Sequence, residues 1–350
     1  MGIFFLLFIF IILTALFFNI SQRGKVNNKL YIYLCGISLF LVSGLRHETV
    51  GNDTIGYIEY FKSLIQMDWN SVSEEREPGF SLLAKFLSVL SDNSTFFLAS
   101  VAAIFTVSIC FLIYKYSKNY FLSFVLLITL GIFYFSMAGL RQIIAMSILM
   151  FSIKFVRDRK ILPFLLLVFI ACFFHNTAIC FILIYIVSYF KIGWKHLLVF
   201  VGFTILAFYY QNVIISVLFN TLALDRLSHY ESVDSSISLS GFFVQLGIAT
   251  YCLAYYKKAI KRDTTNIIFY NLMFLGILFQ MFTPIIGEFF RLSLYFNIFN
   301  IILIPNVLMS KKNQNEIRAL EYLSILSILL LYFTFGSQGS IISEYKFFWQ

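Results

Sequence analysis

Apolar runs, mostly 14 to 20 residues long, alternate with short polar clusters from residue 3 to residue 335. That alternation leaves few folds open. Inside hydrocarbon every backbone N–H and C=O must be satisfied within the segment itself, so a run of this length is a helix that crosses or enters a membrane. The runs fall at 3–20, 30–45, 96–114, 120–136, 139–156, 161–174, 177–190, 196–210, 240–256, 266–284, 287–309 and 319–335. We therefore expect an all-α polytopic membrane protein of about 12 transmembrane or membrane-embedded helices, forming one domain over 1–350 with structured extracytoplasmic loops. Composition agrees: 60% of residues are hydrophobic and 12% charged, against about 25% charged in soluble domains. The run 3–20 has no basic residues before it and no clear small-residue cleavage site, and it is expected to be a retained helix.

The basic residues orient the chain. The clusters that follow the odd-numbered runs hold 18 of the 26 Lys and Arg, and the other side receives eight: Arg46, Lys62, Arg76, Lys85, Arg141, Arg226, Arg291 and Lys346. By the positive-inside rule both termini lie outside the cytoplasm. The net charge of +9 is then a topology signal. It does not form the continuous basic face that nucleic acid would need. The two sides also differ in kind. Lys outnumbers Arg 13 to 5 inside, whereas Arg outnumbers Lys 5 to 3 outside. Arg is favoured where a planar donor fork grips carboxylate or phosphate oxygens, so an anionic ligand is expected on the outer face.

Cofactor chemistry finds no support. The five Cys lie in or beside apolar runs without a CxxC, and are expected to be small buried hydrophobes. The four His are scattered, so no metal site is expected. Neither a Walker nor a Rossmann glycine loop is present.

Two outer loops are long, 46–95 and 211–239. In the first, Asp53 is placed to cap a helix carrying Ile55, Ile58, Phe61 and Ile65 on one face. A second amphipathic helix starts at Pro78, with Phe80, Leu83, Leu87 and Leu90 on one face and Ser81, Lys85, Ser88 and Ser91 on another. At about 14 residues it is too short to span, and reads as interfacial or re-entrant. The second loop, polar around Asp225, Arg226, His229 and Glu231, could serve as a lid. Between 161 and 190 only His175-Asn176-Thr177 interrupts the apolar sequence, and basic clusters flank both ends. The segment must turn back on itself there. Each arm is about 21 Å long, less than the ~30 Å hydrocarbon core, which puts His175 below the outer surface.

Each candidate side chain has a plain alternative. Arg46 could be a snorkelling anchor, Asp53 only a helix cap, and Glu77 a first-turn acid favoured by the helix dipole. Arg291 could pair with Glu288 three residues earlier. Arg226 and His229 could be solvated loop charges, and His175 a satisfied buried histidine. Arg141 is harder to dismiss, because a cation at a helix N-terminus is at the unfavourable end.

An outer Arg, then "VGNDTIGYIEYF", "EPGFSLLAKFLS", "GLRQIIAMSI", "FFHNTA", "FFRLSLYFNIFNIILIP" and a closing "YKFFW", in this order, resemble the EpsG-like family of Wzy-type polysaccharide polymerases. The match covers nearly the whole chain and is least clear over 195–265. The resemblance implies a metal-independent membrane glycosyltransferase with a GT-C-like helical fold and no cofactor. It would act on the outer face of a bacterial cytoplasmic membrane. The donor would be a growing glycan on undecaprenyl pyrophosphate, the acceptor a lipid-linked repeat unit, and a chain-length regulator a possible partner. Mapped onto these residues, Arg141 and Arg291, assisted by Arg46 and with Arg226 as a further candidate, would bind the pyrophosphate. Asp53 or Glu77 would be the base, and His175 would orient a phosphate or the acceptor. An O-antigen ligase shares this chemistry, and a lipid-linked oligosaccharide flippase shares the substrate; both stay open at this point.

Overall fold

The computed structural model describes residues 2–18, 25–191, 193–210, 213, 216, 240–284, 287–310 and 345–350. Among these, all regular structure is helical, apart from one isolated bridge between Arg46 and Phe347. The run 319–335, most of the 211–239 loop, and with it Arg226 and His229, lie outside the described residues. Among the described residues one helix, Ser94–Tyr116, is long and apolar enough to cross a membrane alone, or up to three spans result if two bent pairs each count as one. The other apolar helices have 10–17 residues. The chain groups into two compact units, Met1–Ile182 with Leu308–Gln350, and Leu183–Val307.

The first unit contains α1 (Gly2–Phe18), α2 (Lys25–Gly44), α3 (Thr54–Leu64), α4 (Trp69–Ser73), α5 (Pro78–Leu90) and α6 (Ser94–Tyr116). These are followed by α7 (Tyr120–Thr129), α8 (Ile132–Ala138), α9 (Leu140–Arg157), α10 (Ile161–Phe174) and a 3-10 turn, Asn176–Phe181. The expected run 120–136 is broken in two. Gly131 sits at φ +75°, a conformation L side chains resist, and α7 and α8 meet there at 54°. Helices α2 and α6 run antiparallel at close range. A Cβ on Gly36 would lie 2.9 Å from Cys110 Sγ, and one on Gly44 would lie 3.2 Å from the Ala99 Cα. Side-chain caps start several helices: Asp68 accepts from Asn70 N and Ser71 N, Asn93 from Thr95 N, and Asn119 from Leu122 N.

The helices of the 46–95 loop form where expected, and each buries a mixed set of residues. On α3 the buried residues are Thr54, Ile58, Phe61 and Leu64, while Ile55 and Ile65 are exposed. Asp53 occupies the N-cap position, yet its side chain makes no capping hydrogen bond. On α5 the buried set is Phe80, Ser81, Ala84, Lys85 and Leu87, whereas Phe86, Val89 and Leu90 are exposed. Lys85 turns inward because α3 ends beneath it. Its Nζ donates to Leu64 O at 2.8 Å and Ile65 O at 3.0 Å, satisfying carbonyls that a helix end leaves open. In a chain with lipid outside, nothing forces the more apolar stripe of a helix toward protein, so local hydrogen-bonding demand decides the facing.

The second unit holds α11 (Ile182–Val187, from its second residue), α12 (Trp194–Tyr209), α13 (Ser240–Ala254), α14 (Tyr256–Arg262), α15 (Asn266–Gln280), α16 (Glu288–Asn297) and most of α17 (Asn300–Met309). The run 287–309 is thus two helices bent by 40°. Buried amides join its elements. Asn300 Nδ2 donates to Gln245 Oε1 at 2.9 Å, Asn306 Nδ2 to Asn266 Oδ1 at 2.9 Å, and Ser293 Oγ to Gln280 Oε1 at 2.6 Å. Such pairs hold apolar helices in register where hydrophobicity cannot, because lipid is as apolar as the helices themselves.

Candidate active site

Three helix ends in the first unit converge on one carboxylate. Pro78 opens α5 and keeps the residue before it out of the helical region, which leaves Glu77 at the N-cap. Arg141 is the second residue of α9, just after Gly139. His175 ends α10 in an extended conformation (φ −156°, ψ +115°) at the break before the 3-10 turn. Glu77 Oε2 accepts from Arg141 Nη1 at 3.0 Å. Glu77 Oε1 accepts from His175 Nδ1 at 2.7 Å and from the backbone N–H of Asn176 at 3.1 Å.

Burial is graded across the cluster. The Glu77 side chain is 9% exposed, that of His175 21% and that of Arg141 30%. The carboxylate lies behind two partners that reach outward. A carboxylate can only accept, so Nδ1 of His175 carries the proton facing Glu77, and the lone pair of the neutral ring is on Nε2, as in carboxylate-oriented catalytic histidines. Arg141 is further enclosed by aromatic rings, its guanidinium carbon lying 5.0 Å from the Phe80 centroid, 5.3 Å from Tyr60 and 6.0 Å from Tyr57. These contacts and Glu77 hold a cation at a helix N-terminus, where the dipole opposes it.

Burial by itself would raise the Glu77 carboxyl above its ordinary value of 4.5. The hydrogen bond and charge of His175, the Asn176 N–H and the Arg141 guanidinium outweigh that effect and hold it at about 2. A depressed acid contributes stability that is complete above its unfolded value and is lost as pH falls through the folded one. Wild-type protein is therefore expected to lose roughly 3 kcal/mol between pH 4.5 and pH 2 through this one group. Melting curves of wild type and Glu77→Gln across that window check it. The variant should start less stable and show a shallower acid slope; parallel slopes would refute the linkage.

Of the remaining expected residues, Arg226 lies outside the described ones, and the others have their own partners. Arg46 is 1% exposed and faces the protein. Its Nε donates to Val50 O at 3.2 Å, its Nη1 to Ser43 O, and its Nη2 to Met137 O at 3.1 Å. Thr54 Oγ1 reaches the same Val50 and Met137 carbonyls at 2.8 and 3.0 Å. Gly51, at φ +102°, passes so close that a Cβ there would lie 2.5 Å from Met137 O. The 46–95 loop is thus latched onto the end of α8, four residues before Arg141. The closing "YKFFW" joins this latch: His47 N donates to Lys346 O at 2.9 Å and Phe348 N to Leu45 O at 3.0 Å. Asp53 is half-exposed beside Asn52, whose Oδ1 accepts from Tyr134 OH at 3.1 Å. Arg291, in the second unit, lies 3.4 Å from Glu288 as an exposed i,i+3 pair. The sequence reading missed Tyr57, Tyr60 and Phe80 around Arg141, since single aromatics carry no signal in a chain with 44 Phe. It also missed the Asn176 backbone donor, which no side-chain pattern encodes.

An all-helical integral membrane protein with a buried carboxylate orienting a histidine and an arginine fits a transferase acting on an anionic, membrane-borne substrate. The chain belongs to the EpsG family, whose model matches residues 29–347, nearly its whole length; this is a Wzy-like polymerase family of polysaccharide biosynthesis. Comparison with curated proteins and with solved structures finds no match.

Proposed function

We propose that the protein extends a polysaccharide by transferring a growing glycan from undecaprenyl pyrophosphate to a hydroxyl of an incoming lipid-linked repeat unit, at a site built on Glu77, Arg141 and His175. The observation that carries this reading is the single carboxylate joining a half-exposed arginine to a half-exposed histidine at bond lengths of 3.0 and 2.7 Å. His175 is the general base in this assignment and Glu77 its orienting partner. A carboxylate held at about 2 is a weak proton acceptor near neutrality, whereas an imidazole is well matched. The acceptor oxygen forms the new bond to the anomeric carbon and its proton passes to His175 Nε2. The bond from that carbon to the pyrophosphate oxygen breaks, and the electron pair leaves with the pyrophosphate. Arg141 stabilises the charge developing there; one of its five N–H donors is used by Glu77.

Arg46 becomes a brace for the α8–α9 junction in this reading, and Asp53 a loop residue. Arg291 and Arg226 keep their proposed part in pyrophosphate binding on the strength of the family resemblance. The reading also retains about twelve membrane-embedded segments in a GT-C-like arrangement. Both termini and the site lie outside the cytoplasm, the leaving-group charge is met by arginine without a metal ion, and a chain-length regulator is a candidate partner. It is supported by the distribution of Lys and Arg.

Deletion of the gene tests the function. Loss of polymer with single repeats retained supports a polymerase; loss of all transferred sugar indicates a ligase, and accumulation of lipid-linked units on the cytoplasmic side a flippase. His175→Asn tests the mechanism. Its amide can still donate to Glu77 but offers no imidazole lone pair, and turnover should fall at least about 10²-fold at normal protein level. Full activity in that variant would remove His175 as the base.

A further inference from the structure

The antiparallel pair α2 and α6 encloses a groove of about 530 Å³, within the ~300–1,000 Å³ of small-molecule sites. Two helical stripes line it: Lys29, Gly36 and Phe40 along α2, and Tyr114, Cys110 and Ala103 along α6. The lining is almost wholly apolar except at one end, where the exposed Lys29 Nζ stands 5.9 Å above the Tyr114 ring. No acidic side chain among the described residues pairs with Lys29. Gly36 matters to the shape, since any larger residue would meet Cys110 Sγ at 2.9 Å.

The dimensions select an occupant. Lys29 to Phe40 is eleven helical steps, and so is Ala103 to Tyr114, about 16 Å along each wall. That is about half of the ~30 Å hydrocarbon core, the depth of one leaflet. A groove one leaflet deep, apolar along its length and headed by an unneutralised ammonium, complements one acyl chain topped by a phosphate. Lys29 lies near the start of α2, whereas Arg46 and the latch follow its end, about 22 Å further along the helix. None of the groove's lining residues belongs to the Glu77 cluster or to the Arg46 latch, and Lys29 puts its charged end on the lysine-rich side of the membrane.

We propose that this groove is a binding site for one anionic glycerophospholipid of the leaflet on the lysine-rich side, its phosphate on Lys29 and one acyl chain between α2 and α6. The charge of one lysine near the surface gives about a fivefold preference for an anionic over a zwitterionic headgroup.

Native mass spectrometry of the full-length protein released from bilayers containing equal phosphatidylglycerol and phosphatidylethanolamine reads this directly. Wild type should retain one phosphatidylglycerol per chain, preferred about fivefold. Lys29→Gln should bring the two lipids to parity. Val107→Trp, at a 65% exposed position of the groove wall, should abolish retention with melting temperature and monodispersity unchanged. If that variant does not fold, Ile37→Trp on the facing wall, 55% exposed, replaces it. Equal retention of both lipids by wild type, or an unchanged preference in Lys29→Gln, overturns the proposal. Loss in Lys29→Gln with full retention in the groove-filling variant also overturns it, since the lipid would then sit on the lysine and not in the groove.

Discussion

Arg141→Ala is expected to stop polymerisation, leaving single lipid-linked repeats where wild type makes a ladder. Two effects act together. The guanidinium lost from the leaving group corresponds to about 10²–10³-fold in turnover, the usual consequence of removing one preorganised donor from developing charge. Glu77 also loses its 3.0 Å partner and is left 9% exposed with only His175 and the Asn176 N–H to hold it. The histidine's orientation then weakens as well. Arg141→Lys separates charge from geometry. An ammonium carries the charge but cannot pair with Glu77, stack among Phe80, Tyr60 and Tyr57, and present further donors in a plane. It should recover little of the lost activity. A normal ladder from Arg141→Ala at native protein level would remove the site from the mechanism.

Arg46→Met is expected to lower stability, whether or not substrate is present. The side chain makes three charge-assisted hydrogen bonds to carbonyls, each about 1.5–3 kcal/mol. Relief of the desolvated cation offsets part of this, and Thr54 still serves two of the carbonyls. Ser43 O loses the contact that Arg46 makes, and the latch between the 46–95 loop and α8 loses its centre. A net loss of several kcal/mol follows, seen as a drop of about 10 °C in melting temperature of the purified protein. If Arg46 instead gripped pyrophosphate, the substrate-free protein would melt as wild type does and only activity would fall.

The cluster's depth also explains why its charges persist. Glu77 is nearly buried, and a lone carboxylate there would protonate. A cation, an imidazole N–H and a backbone N–H surround it, so each member is ionised or oriented by the others. Removing one is felt by all three, and single-residue effects should be far from additive.

Much of this arrangement was legible from the chain. Arg141 stood out because a cation at a helix start is electrostatically misplaced, and the structure supplies the compensating acid. His175 stood out because a polar residue interrupts a 30-residue apolar segment flanked by basic clusters. Glu77 was marked by its place before Pro78. The pairing of these three, 64 and 98 residues apart, was not legible, because each also had a satisfactory local explanation. Arg46 shows the opposite error. Its placement among scarce outer-side cations pointed to a ligand, while in the folded protein its partners are backbone carbonyls, which leave no trace in side-chain sequence. For α5, the apolar stripe is divided, with Phe80 and Leu87 buried and Leu90 exposed, since a helix that meets lipid need not hide its whole apolar side.

The sequence by itself determined the all-helical class, the positions of most of the described apolar helices, and the residue types able to handle an anion. These follow from rules that act locally: backbone satisfaction in hydrocarbon, proline and cap geometry, and the cost of placing charge. Only the tertiary structure decided which carboxylate meets which histidine, that Lys85 and Arg46 face inward to carbonyls, and that Gly131 and the break after Asn297 bend two apparent spans. Those outcomes depend on which helix ends meet. Hydrogen bonds to backbone and close approaches at glycine set that, and both are absent from any reading of side chains along one strand of sequence.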